Sequence, residues 1–277
     1  NGENIRDLAH ARTVLKRYSD YYDTKTLKEY ATGNREQRQW IIQAANELKL
    51  MPTTEGSLDI KMNITEAIDG YSGHEHTIPT YPLQSDVLRL LKESGITYTP
   101  TIIVAYGAPW GENYWYQHTN VWENKRLLTF TPRSVIEPRS RRRMMAAEDD
   151  WNYIENAKAA KGVLDAGAKV QLGAHGQIQG IGAHWELWMF VQGGMTPLEA
   201  IRSGTLSGAQ YLGLDNDLGS LEKGKLADLM VLDKSPLEEI RNSETIHYVM
   251  KNGRLYEGAT MNEIGNHPKK RGAFYWE

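Results

Sequence analysis

The chain of 277 residues has no cysteine, which excludes disulfides and thiolate metal sites and leaves the compartment open. Phenylalanine is scarce, with 3 residues against 15 tyrosines and 8 tryptophans. Most rings therefore carry a polar tip, a bias that suits a wet cleft or an interface, although core packing uses such rings too. No apolar run approaches the roughly 18 residues of a spanning helix, so no membrane partner is expected. The formal charge is only −3, and the one basic block is Arg139, Arg141, Arg142 and Arg143. Nucleic-acid binding is not expected from so weak a footprint, and the arginines read as a solvated or ion-paired face. Internal repeats and low-complexity segments are absent. The first residue is Asn1 with no signal-like stretch ahead of it, so a processed, trimmed or partial chain is expected.

What is present is an alternation of short apolar runs and helical stripes. REQRQWIIQAANEL (35–48) places Trp40, Ile41, Ala44, Ala45 and Leu48 on one face of a helix. LKLMPTTEG reads as a strand with polar groups at its tip, ITEAIDG as a short helix, and GHEHT (73–77) as another strand tip. SDVLRLLKESG (85–95) has Ser85 as its expected N-cap and Gly95 as its stop. ITYTPTIIVAYG (96–107) is strongly β-prone. Residues 108–148 show no period and read as a long excursion over one face. Helical DDWNYIENAKAAKGVLDAGA precedes a strand, KVQLGAH; WELWMFVQGG reads as a buried helix, and TPLEAIRSGTLSGAQYLGL (196–214) has a Thr N-cap and Pro in its first turn.

Strand-then-helix units over 25–213 predict a parallel sheet covered by helices, as a (β/α)8 barrel or an open doubly wound sheet. After about residue 214 the pattern changes: GSLEKGKLADLMVLDKSP and IHYVMKNGRLYEG read as short strands joined by EKGK and KNG turns. In parallel βα folds the strand C-termini converge on one rim, where sites are built. Lys28, Thr53 to Glu55, His74 to His76 and His175 occupy such tips. Together they hold the ingredients of a hydrolytic metal site, because imidazole and carboxylate bind zinc and a metal-bound water attacks near neutral pH. Each also has a bland reading. A strand-tip histidine is often only hydrogen-bonded, Lys28 beside Lys25 and Glu29 reads as a surface charge, His184 as a buried first-turn residue, and only one of His74 and His76 is expected to face a site.

The stretch TPLEAIRSGTLSGAQYLGLDNDLGSLEKGKLADLMVLDKSPLEEI, followed by VMKNGRLYEG, resembles the C-terminal signature of the amidohydrolase superfamily, in its imidazolonepropionase-like branch. The correspondence is nearly unbroken over 193–258 and extends more weakly back to about residue 25. YTPTIIVAYG, GAHGQIQG and AHWELWMFVQGGMTP are similar to segments of bacterial members often fused behind a β-propeller.

This resemblance implies a (β/α)8 TIM-type barrel with a small β-sandwich. It also implies hydrolysis of an amide or ester bond in a small substrate, such as a cyclic amide or dipeptide, by metal-activated water. Lys28 in TLKEY matches the family's fourth-strand lysine, His76 in GHEHT its sixth-strand histidine, and His184 in AHWEL a histidine near the substrate. Three features depart from the family. Thr53 in TTEG stands where a metal-binding histidine is expected, His175 in LGAHGQ replaces the eighth-strand acid, and no His-x-His opens the chain.

The expectation is therefore a barrel portion over 1–213, incomplete at its N-terminus, and a C-terminal β appendage over 214–277. A missing N-terminal segment or a partner chain would complete the barrel. The metal set would be His76, His175 and Glu55, with zinc as the metal. His175 and Lys28 would be catalytic, and His184, Tyr106 and Gln177 would contact the substrate. A histidine in place of the acid can still move a proton near neutrality. The competing readings are a relative that has lost its metal and binds a ligand or partner, and a metal-free histidine acid–base enzyme. A homo-oligomer is expected, and the resemblance alone implies a periplasmic or extracellular location.

Overall fold

A computed structural model describes residues 4–30, 33–105 and 109–277. The alternation becomes α1 (Leu8–Tyr21), β1 (Thr26–Glu29), α2 (Arg35–Glu47), β2 (Met51–Glu55), α3 (Ile60–Asp69), β3 (Gly73–Glu75), α4 (Ser85–Ser94) and β4 (Thr97–Thr99). The four strands pair in parallel in sequence order. Sequence chemistry sets the helix ends. Asn34 and Gln37 form a reciprocal capping box on α2, which satisfies two of the backbone donors that a helix start leaves open. Gly95 ends α4 at a φ of 73°, the left-handed conformation that glycine adopts without cost. Ser85 is not the cap expected of it: α4 begins on Ser85 itself, with Gln84 before it making no side-chain capping bond.

Two expected strands are shorter in the structure. The β-prone 96–107 stretch leaves the ladder after Thr99 because Pro100 has no N–H to donate. Thr101 then turns left-handed at a φ of 50° and a 3-10 turn follows over Ile102–Val104. KVQLGAH makes a single parallel bridge, Tyr98 to Val170. Its backbone is drawn away when the Leu172 N–H bonds the Ser203 carbonyl at 3.1 Å. Among the described residues the parallel sheet is these four strands and that bridge, and β1 pairs on one side only.

The excursion without a period is helical after all. It holds α5 (Gly111–His118), α6 (Lys125–Phe130) and α7 (Arg133–Arg141), of 8, 6 and 9 residues, too short to print an apolar stripe. Then come α8 (Tyr153–Asp165), α9 (Ile181–Gln192), α10 (Pro197–Ser203) and α11 (Leu206–Leu212). Thr196 caps α10 in a box with Glu199, as its sequence suggests. An antiparallel sheet closes the chain: β5 (Leu229–Leu232), β6 (Ile246–Lys251), β7 (Arg254–Glu257) and β8 (Glu263–Ile264). The KNG turn joins β6 to β7 with Asn252 and Gly253 at φ of 49° and 77°, the double left-handed step of a tight hairpin. GSLE forms no strand; pairing starts only at Leu229.

Cross-strand partners share a face, and the two faces of the parallel sheet differ. Glu29, Thr54, His74 and Tyr98 line the face that packs on helices. Tyr98, Phe190, Trp115, Tyr116 and Tyr153 are fully buried in the main core. Each such side chain contributes about 1.5–3 kcal/mol relative to exposure. The other face carries Lys28, Thr53, Glu55, Gly73, Glu75, Thr97 and Thr99, almost all polar. Tyr211 of α11 lies on that face so closely that a Cβ at Gly73 would stand 2.0 Å from its hydroxyl.

Candidate active site at the rim of the parallel sheet

The C-terminal ends of β1, β2 and β3 bring Lys28, Glu55 and His76 to one place. Lys28 is ion-paired with Glu55, and Oε1 of Glu55 lies 2.7 Å from Nε2 of His76. The His76 ring meets the His175 ring edge-on, with centroids 5.0 Å apart. His175 in turn bonds Oε1 of Gln177 through Nδ1 at 2.7 Å. Thus Lys28, Glu55, His76, His175 and Gln177 form one connected group. Glu55 and His76 are buried, whereas His175 faces solvent.

These bonds assign protons. His76 donates from Nε2 to the Glu55 carboxylate, so its lone pair sits on Nδ1. His175 donates from Nδ1 to the Gln177 carbonyl, which leaves the lone pair on Nε2. Burial pushes the His76 pKa down to about 4; Glu55 opposes that shift, while His175 and Lys28 add to it. His76 is therefore a neutral ring near pH 7.

Backbone strain collects at this rim. Among the described non-glycine residues with positive φ, His76 (73°), Thr101 (50°), Ala174 (55°) and His175 (45°) all lie at the strand tips. Such conformations cost on the order of 1–3 kcal/mol each and cluster at functional sites. The turn at His76 also separates it from His74. On a regular strand residues two apart share a face, so pleating is not what divides the two histidines. The left-handed step at His76 does it. His74 stays on the helix-packed side, with Nδ1 3.3 Å from Glu66 and both residues buried.

Tyr106, expected to touch substrate, lies outside the described residues. His184 is placed elsewhere. It and Trp188, one helical turn apart on α9, both bond Oγ of Ser243 at 3.0 Å. Gly182 and Glu186, on another face of α9, approach Gly173 and Ala174 instead. Burial pushes His184 down to about 4, with Arg126 adding to it. A cavity of about 130 Å³, lined by Trp185, Trp188, Arg241 and Glu244 among others, lies beside α9 on this side, not at the rim cluster.

The expected metal set does not fit. Among the described residues no group of three or more His, Asp or Glu side chains is placed to hold an ion. Glu55 is engaged by both Lys28 and His76, and Thr53 gives its hydroxyl to Oε1 of Glu75 at 2.8 Å instead of offering an imidazole.

Two carboxylates near the rim escaped sequence reasoning. Glu186, fully buried, accepts the N–H of Gly173 at 3.2 Å and of Ala174 at 2.7 Å. Burial pushes it up to about 7, against those N–H groups and that of Ile102. Its signal was a lone acid in an apolar helix. Glu112 on α5 is also buried, which raises its pKa, and it feels the charges of Arg139 and His175. Nothing in the sequence ties it to the rim, because α5 has no readable period.

The sequence profile of the amidohydrolase family matches residues 6–256. An ochratoxinase from Aspergillus niger is 31% identical over 165 residues, 53% of this chain and 33% of that protein. An adenine deaminase from Desulforamulus reducens is 42% identical over 62 residues, 22% of this chain and 10% of its own length. The chain thus spans a third or less of these curated relatives. A Xaa-Pro dipeptidase crystallised with bound methionine superposes with a TM-score of 0.65 at 22% identity, over 91% of this chain and 59% of that one. The crystal structure of A. niger ochratoxinase gives 0.62 at 22%, over 91% and 55%. At that identity the likeness is one of fold, a TIM-like α/β architecture.

Proposed function

The chain belongs to the amidohydrolase family, and from that premise we propose that it is a hydrolase cleaving an amide or ester bond in a small substrate such as a dipeptide or cyclic amide. The observation that carries this reading is the linked group at the rim: Lys28 on Glu55, Glu55 on His76, and His76 5.0 Å from an exposed His175. The curated relatives it resembles include an ochratoxinase and two deaminases.

The chain's own residues divide the work as follows. His175, an exposed residue whose Nε2 carries the lone pair, takes a proton from the attacking water as its oxygen bonds the carbonyl carbon. It then returns that proton to the leaving nitrogen or oxygen as the scissile bond breaks, so the ring ends as it began. Gln177 fixes the His175 tautomer through Nδ1. The half-exposed Lys28 ammonium, already anchored on Glu55, has further N–H bonds to offer to the carbonyl oxygen as charge develops there. Glu55 accepts the Nε2 proton of His76 and holds that ring in place beside His175, while burial keeps the ring neutral.

The family resemblance implies a divalent metal, and zinc is the ion that imidazole and carboxylate donors would favour. The described residues do not supply its ligands, so no step is routed through it. We place completion of the barrel in the same reading: the outer edge of β1 would accept further parallel strands from an additional segment or a partner chain, which removes an exposed edge. In this chain alone the outward amide of Lys28 would then exchange with solvent rapidly. Slow exchange there would count against that completion.

The test is turnover of a panel of dipeptides, N-acyl amino acids, cyclic amides and small esters by the wild-type chain and by His175→Asn. Hydrolysis that needs His175 is the expected result. Hydrolysis equal in both proteins, or none in either across the panel, overturns the proposal.

A further inference from the structure

Helix α9 buries Ile181, Trp185, Trp188, Met189 and Phe190, and in their midst Glu186 has no exposed surface. A carboxylate taken from water needs hydrogen bonds to replace it. Those of Glu186 come from the main chain of the rim: Gly173 N–H to Oε1, Ala174 N–H to Oε2, and the Ile102 N–H. Its two oxygens therefore stitch the end of the Val170 segment to the turn that follows β4.

The segment so held is a strained one. Ala174 and His175 follow each other at φ of 55° and 45°, with Gly176 at 79°. A left-handed alanine or histidine costs about 1–2 kcal/mol, so two in succession would relax without an external hold. Thr101 braces the other side, since a Cβ at Gly173 would stand 2.8 Å from its Cα. Released, the turn would swing the ring it carries, and that ring is His175.

We propose that Glu186 is a positioning residue that holds the left-handed Ala174–His175 turn through the N–H groups of Gly173 and Ala174 and so keeps the His175 ring against His76. Its consequence for catalysis rests on the proton-carrying role given to His175 above; the positioning itself does not. A carboxylate is the side chain that this task requires. Glutamine in its place presents one oxygen and one NH2, and the NH2 would face a backbone N–H with no acceptor between them.

The experiment is nuclear magnetic resonance on full-length chain with isotope-labelled histidine rings, read as the cross-relaxation between His76 and His175. Wild type shows the contact expected of rings 5.0 Å apart. In Glu186→Gln the contact is lost, and adding Ala174→Gly restores it, because glycine takes the left-handed turn without a hold. A residue that merely supports the fold would lower the melting temperature while the contact persisted in the folded fraction. A contact that persists in folded Glu186→Gln overturns the proposal. Should that variant not fold, Glu186→Asp, with both oxygens on a shorter arm, is read the same way: contact weakened and restored by Ala174→Gly, or else the proposal fails. Where a substrate of the panel is turned over, Glu186→Gln lowers kcat about 10–100-fold with little change in KM. If no substrate is found, the functional reading falls while the ring contact still decides this one.

Discussion

Oε1 of Glu55 stands 2.7 Å from Nε2 of His76 while Lys28 pairs with the same carboxylate. The carboxylate is nearly inaccessible to water, so both of its partners are needed to offset its desolvation. This relation ties three strands together at their tips. It also removes Glu55 from service as a simple metal ligand.

Glu55→Gln keeps an acceptor for His76 but leaves Lys28 without its counter-charge. We expect turnover to fall by about 100-fold or more, the scale of losing one acid–base assembly. Lys28→Met made in that background should cost little further, because contacting members of one network are not additive. Two full and independent losses in the double-mutant cycle would show that Lys28 and Glu55 do not act as a unit.

His175 faces solvent at a φ of 45°. Asparagine visits that conformation readily, so His175→Asn should leave the melting temperature within about 1 °C of wild type while abolishing turnover. The paired measurement is thermal melting and kcat on one preparation. A large drop in stability would reassign His175 to a structural role.

The parts of this arrangement legible in the sequence were those with period or position. The alternation over 25–213 and the apolar stripe on α2 gave the parallel layer; the KNG turn gave the β6–β7 hairpin. Lys28, Glu55, His76 and His175 were placed together because strand ends in βα folds share a rim. What was not legible depends on single backbone steps. His76 leaves the plane of His74 through one left-handed residue, and Pro100 and Thr101 end β4 where side-chain propensity favoured continuing it. Glu186 stood out only as a lone acid in an apolar helix; its partners are main-chain N–H groups, which no residue pattern announces.

Gly173 tests the close packing beneath that turn. A methyl group there would lie 2.4 Å from Oγ1 and 2.8 Å from Cα of Thr101. The backbone atom cannot step aside, so Gly173→Ala should destabilise by about 1–3 kcal/mol, as overpacking does. Urea denaturation measures it. Wild-type stability in that variant would mean that the Thr101 and Gly173 segments are not in contact in solution.

The donor set makes a prediction about zinc. With Glu55 engaged by Lys28 and His76, and no third donor group assembled among the described residues, the chain incubated with zinc and then gel-filtered should retain substoichiometric metal. Elemental analysis reads this directly. One tightly held equivalent would mean that the rim rearranges to free Glu55, or that ligands come from residues not described.

His184 supplies a pH dependence. Burial lowers its folded pKa to about 4, while an unfolded histidine titrates near 6.5. Between those values the unfolded chain binds a proton that the folded chain refuses. Stability from this group is thus complete above about pH 6.5 and is lost as the pH falls towards 4. His76 is shifted the same way and contributes its own loss over the same window. His184→Asn keeps a polar group for Ser243 but cannot titrate, so its urea midpoint should fall less between pH 7 and pH 5 than that of wild type. The remaining slope would then belong in part to His76. Parallel pH curves for the two proteins would show that His184 is as free to protonate in the folded chain as in the unfolded one, and that its place beside Ser243 and Arg126 is open to water.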